Sequence, residues 1–420
     1  MRVTVLGAGV IGVTTAWYLL EAGHEVTVVD RQPQPARETS FANGGQISVS
    51  HAEPWANPQA PLKVLKWLGR EDAPLLFRPR ADLAQWIWGL RFLRECLPAR
   101  TRTNTLAILS LAQYSGERLR ALRDHTGIQY HCLARGILHL FTDEAGFARV
   151  PRRAQLLRDH GLPAEVLSPA ECVRLEPALA ECRVALAGGL YGAHDESGDA
   201  RVFTERLASL AVRRGARFLL ECNVKGLEGT GNRIVGAKVT WGNEGHETLT
   251  ADAWVVCLGS YSPLLLAPLG ERLPIYPVKG YSVTVPTGPS HLAPTVSITD
   301  EERKLVFSRL GNRLRIAGTA ELAGYDTTLN ISRCRPILDR AFGLFPRAGD
   351  RTNVEYWTGL RPATPGNVPL VGRTRYPNLF LNTGHGTLGW TLSCGSAAAL
   401  ADIVSGRAPQ VDFPFRGGTA

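Results

Sequence analysis

The sequence predicts an α/β fold: a Rossmann-type parallel sheet opened by the N-terminus, followed by an α+β region built on an antiparallel sheet. Three observations predict it. A β-branched run leads directly into a glycine-rich turn and an apolar helical stretch. A second β-branched run then closes on an acid. In the later half, short runs of period two replace helical patterning, as antiparallel strands require.

Arg2 to Leu6 (RVTVL) reads as the first strand, and Gly7, Gly9 and Gly12 follow as G-x-G-x-x-G. Ile11 to Ala22 reads as helix, with Val13, Ala16, Trp17 and Leu20 on one side. After Gly23, Glu25 to Asp30 reads as the second strand, placing a carboxylate 23 positions beyond the first glycine. Glycines let a backbone approach a pyrophosphate at the positive end of a helix dipole, while the acid accepts bonds from ribose hydroxyls. Val5, Leu6, Gly7, Ala8, Gly9, Val10, Ile11 and Gly12 are therefore candidate dinucleotide-binding residues, with Asp30 and Arg31 at the ribose. Asp30 would repel a 2′-phosphate, which disfavours NADP, but the motif leaves NAD and FAD open.

Val202 to Arg214 reads as a helix and Arg217 to Lys225 as a third parallel strand. Asn232 to Thr250 reads as a meander and Ala253 to Leu258 as a strand returning to the first sheet. Tyr281 to Val285, Lys304 to Arg309 and Arg313 to Gly318 alternate as antiparallel strands should. Leu379 to Gly386 reads as the closing strand and Ser396 to Val404 as a helix.

With 420 residues, 44% hydrophobic and 20% charged, the chain has the material for a large core, so a disordered polymer is excluded. Its glycines and prolines form no repeat, which excludes collagen-like and solenoid readings. The net charge of +9 favours anionic partners, but the cations are scattered, and no clustered basic face supports nucleic-acid binding. The densest stretch, Arg78, Arg80, Arg91, Arg94, Arg100 and Arg102, alternates with Trp67, Trp86, Trp88 and Phe92. It reads first as a solvated helix with one buried aromatic face, and second as a peripheral contact with an anionic membrane. Eight cysteines include no CxxC pair and no zinc spacing, so no metal is expected and the thiols read as reduced and mostly buried, in a cytoplasmic protein without a secretory leader. Val3 to Leu20 and Ala253 to Gly270 are uncharged, but their glycines, threonines and prolines argue against membrane spans. The nearest candidate for a second nucleotide fingerprint, Gly229 to Ile234, lacks its third glycine. Electrons are therefore expected to come from an organic substrate and leave to an acceptor docking from outside.

Glu38 to Ile47 (ETSFANGGQI) and the downstream HAEPWANPQAPLKVLKWL resemble the D-amino acid dehydrogenases, within the wider superfamily of D-amino acid oxidase, glycine oxidase and sarcosine oxidase flavoenzymes. The resemblance recurs at His194 to Phe218, Leu273 to Pro286, Gly359 to Gly372 and Asn378 to Pro409. It implies noncovalent FAD and oxidation of a small D-amino acid, D-alanine first, by hydride transfer from Cα to flavin N5, giving a 2-oxo acid and ammonia. It also implies a quinone or respiratory-chain acceptor, reached peripherally on the cytoplasmic face of the inner membrane. Glycine, sarcosine or D-hydroxyproline oxidation, and a flavin-holding subunit that needs partner chains, are the alternatives. The oligomeric state is left open. The superfamily interleaves two domains, which places an FAD-binding domain at 1–54, 146–272 and 357–420 and a substrate domain at 55–145 and 273–356.

The site residues follow. Ser40, Asn43, Gly44, Gly45 and Gln46 suit a loop passing close to a planar ring system. Gly384, Gly386, Thr387, Leu388 and Gly389 form a turn feeding a helix N-terminus, whose partial positive charge would stabilise the anionic edge of a reduced flavin. Ile47, Val224, Gly259 and Thr391 complete the candidate cofactor set. The resemblance gives Arg361, in the block GLRP, the role of carboxylate anchor, for which a planar guanidinium is suited. Tyr276 and Tyr281 are candidates for a further bond to the carboxylate, with packing the alternative for at least one. His385 is a candidate base, disfavoured because hydride transfer requires only a neutral, well-placed amine. The block departs from the family pattern at one point: Gly366-Asn367 stands where an Asp-Gly pair is usual, which keeps a turn but removes a carboxylate.

Overall fold

The computed structural model describes residues 1–67, 69–71, 73–242 and 245–418. Its first sheet has six strands, in the order Leu370–Arg373, Leu379–Thr383, Ala253–Val256, Arg2–Leu6, Glu25–Val29 and Arg217–Leu219. All neighbours are parallel except the first pair. The side chains divide by alternation, as strand geometry dictates. Val3, Val5, Val26, Val28 and Val255 face a layer containing the helices Val10–Glu21, Ala200–Arg213 and Gly389–Val404. Leu6, Val29, Trp254 and Val256 face the three-stranded meander Cys222–Thr230, Arg233–Trp241 and His246–Leu249. Burial on both faces is why these strands read as nearly continuous apolar runs.

Two expected elements are corrected. Arg217 to Lys225 is not one strand. The chain leaves the parallel sheet after Leu219, turns at Glu221 (φ 54°), and re-enters the meander at Cys222, whose N–H donates to the Asp30 carbonyl (2.9 Å). The helix expected from Ser396 begins at Gly389, because Trp390 and Leu392 are buried and tertiary packing overrides the glycines. Gly395 lies so close to Ser115 of the helix Pro98–Thr126 that a Cβ there would meet Ser115 at 2.8 Å.

The second sheet has nine strands, running Glu355–Ala363, Tyr276–Pro286, Arg313–Leu322, Leu305–Leu310, Ser297–Asp300, Ile137–Phe141, Gly188–Gly192 and Ala164–Leu167, with Leu75–Phe77 beside Arg313–Leu322. Tyr281, Val283, Phe307 and Ile316 share a core with Ile337 and Ala341 of the helix Ile331–Leu344. The alternate residues Val306 and Ala317 face the other way, onto Gly44 of the first domain's loop. The sheet is thus one wall of the space between the two layers. Sheet membership differs from the expected boundaries: Ala164–Leu167 and Gly188–Gly192 join the second sheet from within 146–272, and Glu355–Ala363 starts ahead of 357. The domain division we propose follows the sheets.

Candidate active site

A cavity of about 2110 Å³ runs between the sheets, lined from Gly7, Gly9, Asp30 and Val224 at one end, through Asn43 to Gln46 and Gly384 to Thr391, to Arg361 at the other. Small-ligand pockets occupy roughly 300–1,000 Å³, so this space suits a dinucleotide with a substrate beside it.

At the first end, Gly7 stands at φ 109°, and a Cβ on Gly12 would lie 1.8 Å from the Gly7 carbonyl oxygen. Both positions demand glycine: the strand turns into the helix with no room for a side chain. Gly9 is the N-cap of Val10–Glu21 and has no side chain to cap it, which leaves the helix end open toward the cavity. Asp30 accepts the N–H groups of Ala8 (2.6 Å) and Gln32 (2.8 Å). Burial pushes its carboxyl up, and those two bonds pull against the shift. Ser40 Oγ accepts the Val10 N–H (3.0 Å), so this hydroxyl orders the glycine turn. Arg31 pairs with Glu38 (2.6 Å) and lies over the Tyr261 ring (4.1 Å). The uncapped helix end and the close glycine contacts form a concave turn that fits the pyrophosphate of a dinucleotide such as FAD.

In the middle, Gly45 takes φ 72° and its N–H donates to Asn43 Oδ1 (3.0 Å). The Gln46 amide donates to Ser297 Oγ (3.0 Å) and Thr299 Oγ1 (3.1 Å), tying the loop to the second sheet. Opposite, the Gly384 to Gly386 turn feeds the helix Gly389–Val404, whose N-cap Leu388 makes no side-chain cap. Thr391 Oγ1 accepts the Ser48 N–H (3.0 Å) and joins the two loops. Gly259, Thr387 and Val224 also line the cavity, Val224 from the meander. Val5, Leu6, Ala8, Gly12 and Ile47 do not; they are buried behind the lining.

Arg361 lines the other end of the cavity. Its Nη1 donates to the Thr319 carbonyl (2.8 Å) and Nη2 to the Gly318 carbonyl (3.2 Å). Among the described residues no carboxylate pairs with it, and burial pulls its guanidinium down to about 10, still cationic at neutral pH. The residues on either side of it are stapled to the first domain. The Leu360 carbonyl accepts from Thr39 Oγ1 (2.7 Å) and Ser260 Oγ (3.1 Å), and the Pro362 carbonyl accepts from the Gly386 N–H (2.9 Å).

The two tyrosines are placed otherwise than the carboxylate role required. Tyr276 does not line the cavity, and its hydroxyl donates to Asp82 (3.2 Å). Tyr281 lines it but spends its hydroxyl on Glu321 (2.6 Å). His385 is buried, with Nε2 paired to Ser396 Oγ (3.0 Å), and burial pushes it down to about 3. That environment suits a neutral structural ring, in line with the doubt about a base. Asn367 takes φ 62°, a left-handed conformation open to Asn, and its Oδ1 accepts the Trp55 N–H (3.0 Å), so the turn survives without the carboxylate.

Sequence reasoning missed one cluster, half-buried around the buried His139. His51 stacks on His139 (5.3 Å), and His139 Nδ1 lies 2.9 Å from Glu301. These residues could in geometry hold a metal, but Arg153 (2.8 Å) and Lys304 (2.5 Å) already neutralise Glu301. It is an ion-pair cluster assembled from distant segments, for which no local spacing gives a signal. Gly318 and Thr319 were also missed, since a carbonyl acceptor has no residue signature.

Residues 2–403 match the family of FAD dependent oxidoreductases, DAO. The chain belongs to this family. It is 59% identical over 99% of its length to a protein named D-amino acid dehydrogenase from Dechloromonas aromatica (99% of that protein), and 55% identical over 98% to one of the same name from Paramagnetospirillum magneticum (97% of that protein). Among solved structures it resembles glycine oxidase from Geobacillus kaustophilus, with a TM-score of 0.73 and 25% identity over 98% of this chain and 96% of that one. The protein is therefore an FAD-dependent oxidoreductase, with FAD as its cofactor.

Proposed function

We propose that the protein oxidises small D-amino acids, D-alanine first, to 2-oxo acids and ammonia, and passes the electrons to a quinone or another external acceptor. The observation that carries this reading is Arg361: a cation with no acid partner among the described residues, lining the cavity and held rigidly at both flanks. A half-buried charge of this kind facing a cavity suits an anion, and a carboxylate offers two parallel acceptors. The D configuration rests on the relatives' name. Bound FAD supplies the two-electron acceptor. The chain's own contribution is to orient the substrate through Arg361, to shield the cavity with both sheets, and to leave His385 neutral; release of the amine proton then falls to water.

For the acceptor side we propose a peripheral contact with an anionic membrane at the cavity mouth. No described helix is long and apolar enough to cross a membrane. The helix Leu83–Glu95 does bury Trp88 on its inner face as expected, but its outer face carries exposed Leu83, Trp86, Ile87, Leu90 and Leu93 rather than polar residues. Leu62 and Leu65 of the neighbouring helix Ala60–Trp67 are exposed too, and the cations Lys63, Lys66, Arg91, Arg94 and Arg102 stand among them. An apolar surface rimmed by cations suits the headgroup boundary.

The test is turnover by the isolated holoenzyme with an artificial dye. Dye reduction with D-alanine but not L-alanine, without hydrogen peroxide, is expected. Peroxide release would point to an oxidase of the glycine or sarcosine type, and no reduction with any D-amino acid would overturn the reading.

A further inference from the structure

Resting on Arg361 as the carboxylate anchor, we propose that Gly280 and Thr319 are positioning residues: together they form a planar slot that fixes the guanidinium before substrate arrives. In a regular strand, consecutive carbonyls point to opposite sides. Gly318 and Thr319 are consecutive, yet both of their carbonyls accept from Arg361. Two features make this possible.

The first is a kink. Thr319 stands at φ 50°, a region that a β-branched residue avoids unless its surroundings impose it. The register shows how. Tyr281 pairs with Gly318 and Lys279 with Glu321, so Thr319 and Ala320 together oppose Gly280 alone, which is a β-bulge. The Ala320 N–H donates to the Pro74 carbonyl (2.7 Å), and Ala320 pairs with Leu75 of the edge strand, which holds the bulge from outside. The Thr319 hydroxyl is buried without a hydrogen-bond partner, so the side chain does not pull the backbone into this shape. What the kink accomplishes is the direction of two carbonyls.

The second is an absence of side chain. A Cβ on Gly280 would lie 2.1 Å from Arg361 Nη1, 2.3 Å from Cζ and 2.5 Å from Nη2. The guanidinium lies flat against the Gly280 backbone, and any other residue would evict it. Of its five N–H donors, two are committed to the carbonyls and three remain, enough for a bidentate carboxylate. A lysine ammonium would fill neither the plane nor the pair of acceptors.

The experiment is chemical rescue of the holoenzyme, with D-alanine as substrate. Arg361→Ala is expected to raise KM about 100-fold, and millimolar guanidinium to restore at least roughly tenfold of kcat/KM with saturation, while methylammonium at the same concentration restores none. Gly280→Ala, with flavin absorbance confirming the bound cofactor, is expected to raise KM about tenfold with kcat changed less than about threefold. If Arg361→Ala leaves KM unchanged, the anchor reading itself fails. If Arg361→Ala raises KM but guanidinium does not rescue it, the slot is overturned while the anchor stands. A normal KM in Gly280→Ala overturns the slot as well. Should Gly280→Ala not fold, the rescue alone decides.

Discussion

A guanidinium taken out of water costs free energy unless its donors are satisfied, and Arg361 meets that cost with two carbonyls instead of a carboxylate. The arrangement leaves the positive charge available, which is why it reads as a site rather than as an ion pair of the core. Hydrogen bonds to charged groups contribute about 1.5–3 kcal/mol each, so losing one of a bidentate pair should cost one to two orders of magnitude. Arg361→Lys is therefore expected to raise KM for D-alanine by about 10- to 100-fold in steady-state assays. The proposed role was suggested only by the block GLRP around it; nothing in the residue type separates this arginine from the chain's other cations. The tyrosines show the converse. Their positions in the block were readable, but the acids that claim their hydroxyls, Asp82 and Glu321, come from segments that only the folded chain brings near.

Elements were legible where one local signal dominates. The first strand, the glycine turn and the first helix stand within a residue or two of expectation, because backbone room at Gly7 and Gly12 is a local requirement. Gly12→Ala should drive its Cβ into the Gly7 carbonyl and give a protein that no longer retains FAD, seen as loss of flavin absorbance after gel filtration. Where the signal is tertiary, expectation failed: the turn at Glu221 interrupts a run that read as one straight strand, and the strand expected to end at Gly318 continues past a bulge at Thr319 to Leu322. A further element-scale feature is the turn at Asp195, which receives the Ser50 N–H (3.0 Å) and so fastens the loop after Ile47 to the strand Gly188–Gly192. Burial pushes the Asp195 carboxyl up from 3.8 to about 6. A raised acid stabilises the fold fully below its unfolded value and loses that contribution as pH rises through the folded one, here between 3.8 and about 6. From pH 7.5 to 5 this amounts to about 1.4 kcal/mol. Asp195→Asn should lose that increment, and denaturant unfolding of both proteins at the two pH values checks it.

At the scale of the molecule, the parallel sheet and the antiparallel cover were both anticipated, since patterning changes from buried runs to alternation along the chain. Which segments enter the cover was not: Ala164–Leu167 and Gly188–Gly192 are short, and a strand that pairs across the chain carries no sequence record of its neighbour. The outer face of Leu83–Glu95 was read as solvated because its arginines mask leucines that point the same way. Replacing Leu83, Leu90 and Leu93 by Ser should lower partition into anionic vesicles at least about tenfold, with dye turnover retained in solution. Equal sedimentation of both proteins with the vesicles would remove this face from the account. On the proposed reading the whole molecule serves one task, to hold a cofactor and a carboxylate-bearing substrate between two sheets. The most direct test is the visible spectrum of the anaerobic holoenzyme before and after D-alanine, L-alanine, glycine and D-proline are added in separate cuvettes. Bleaching of the flavin by D-alanine and not by L-alanine is the predicted result, and a yellow protein that no D-amino acid bleaches would contradict it.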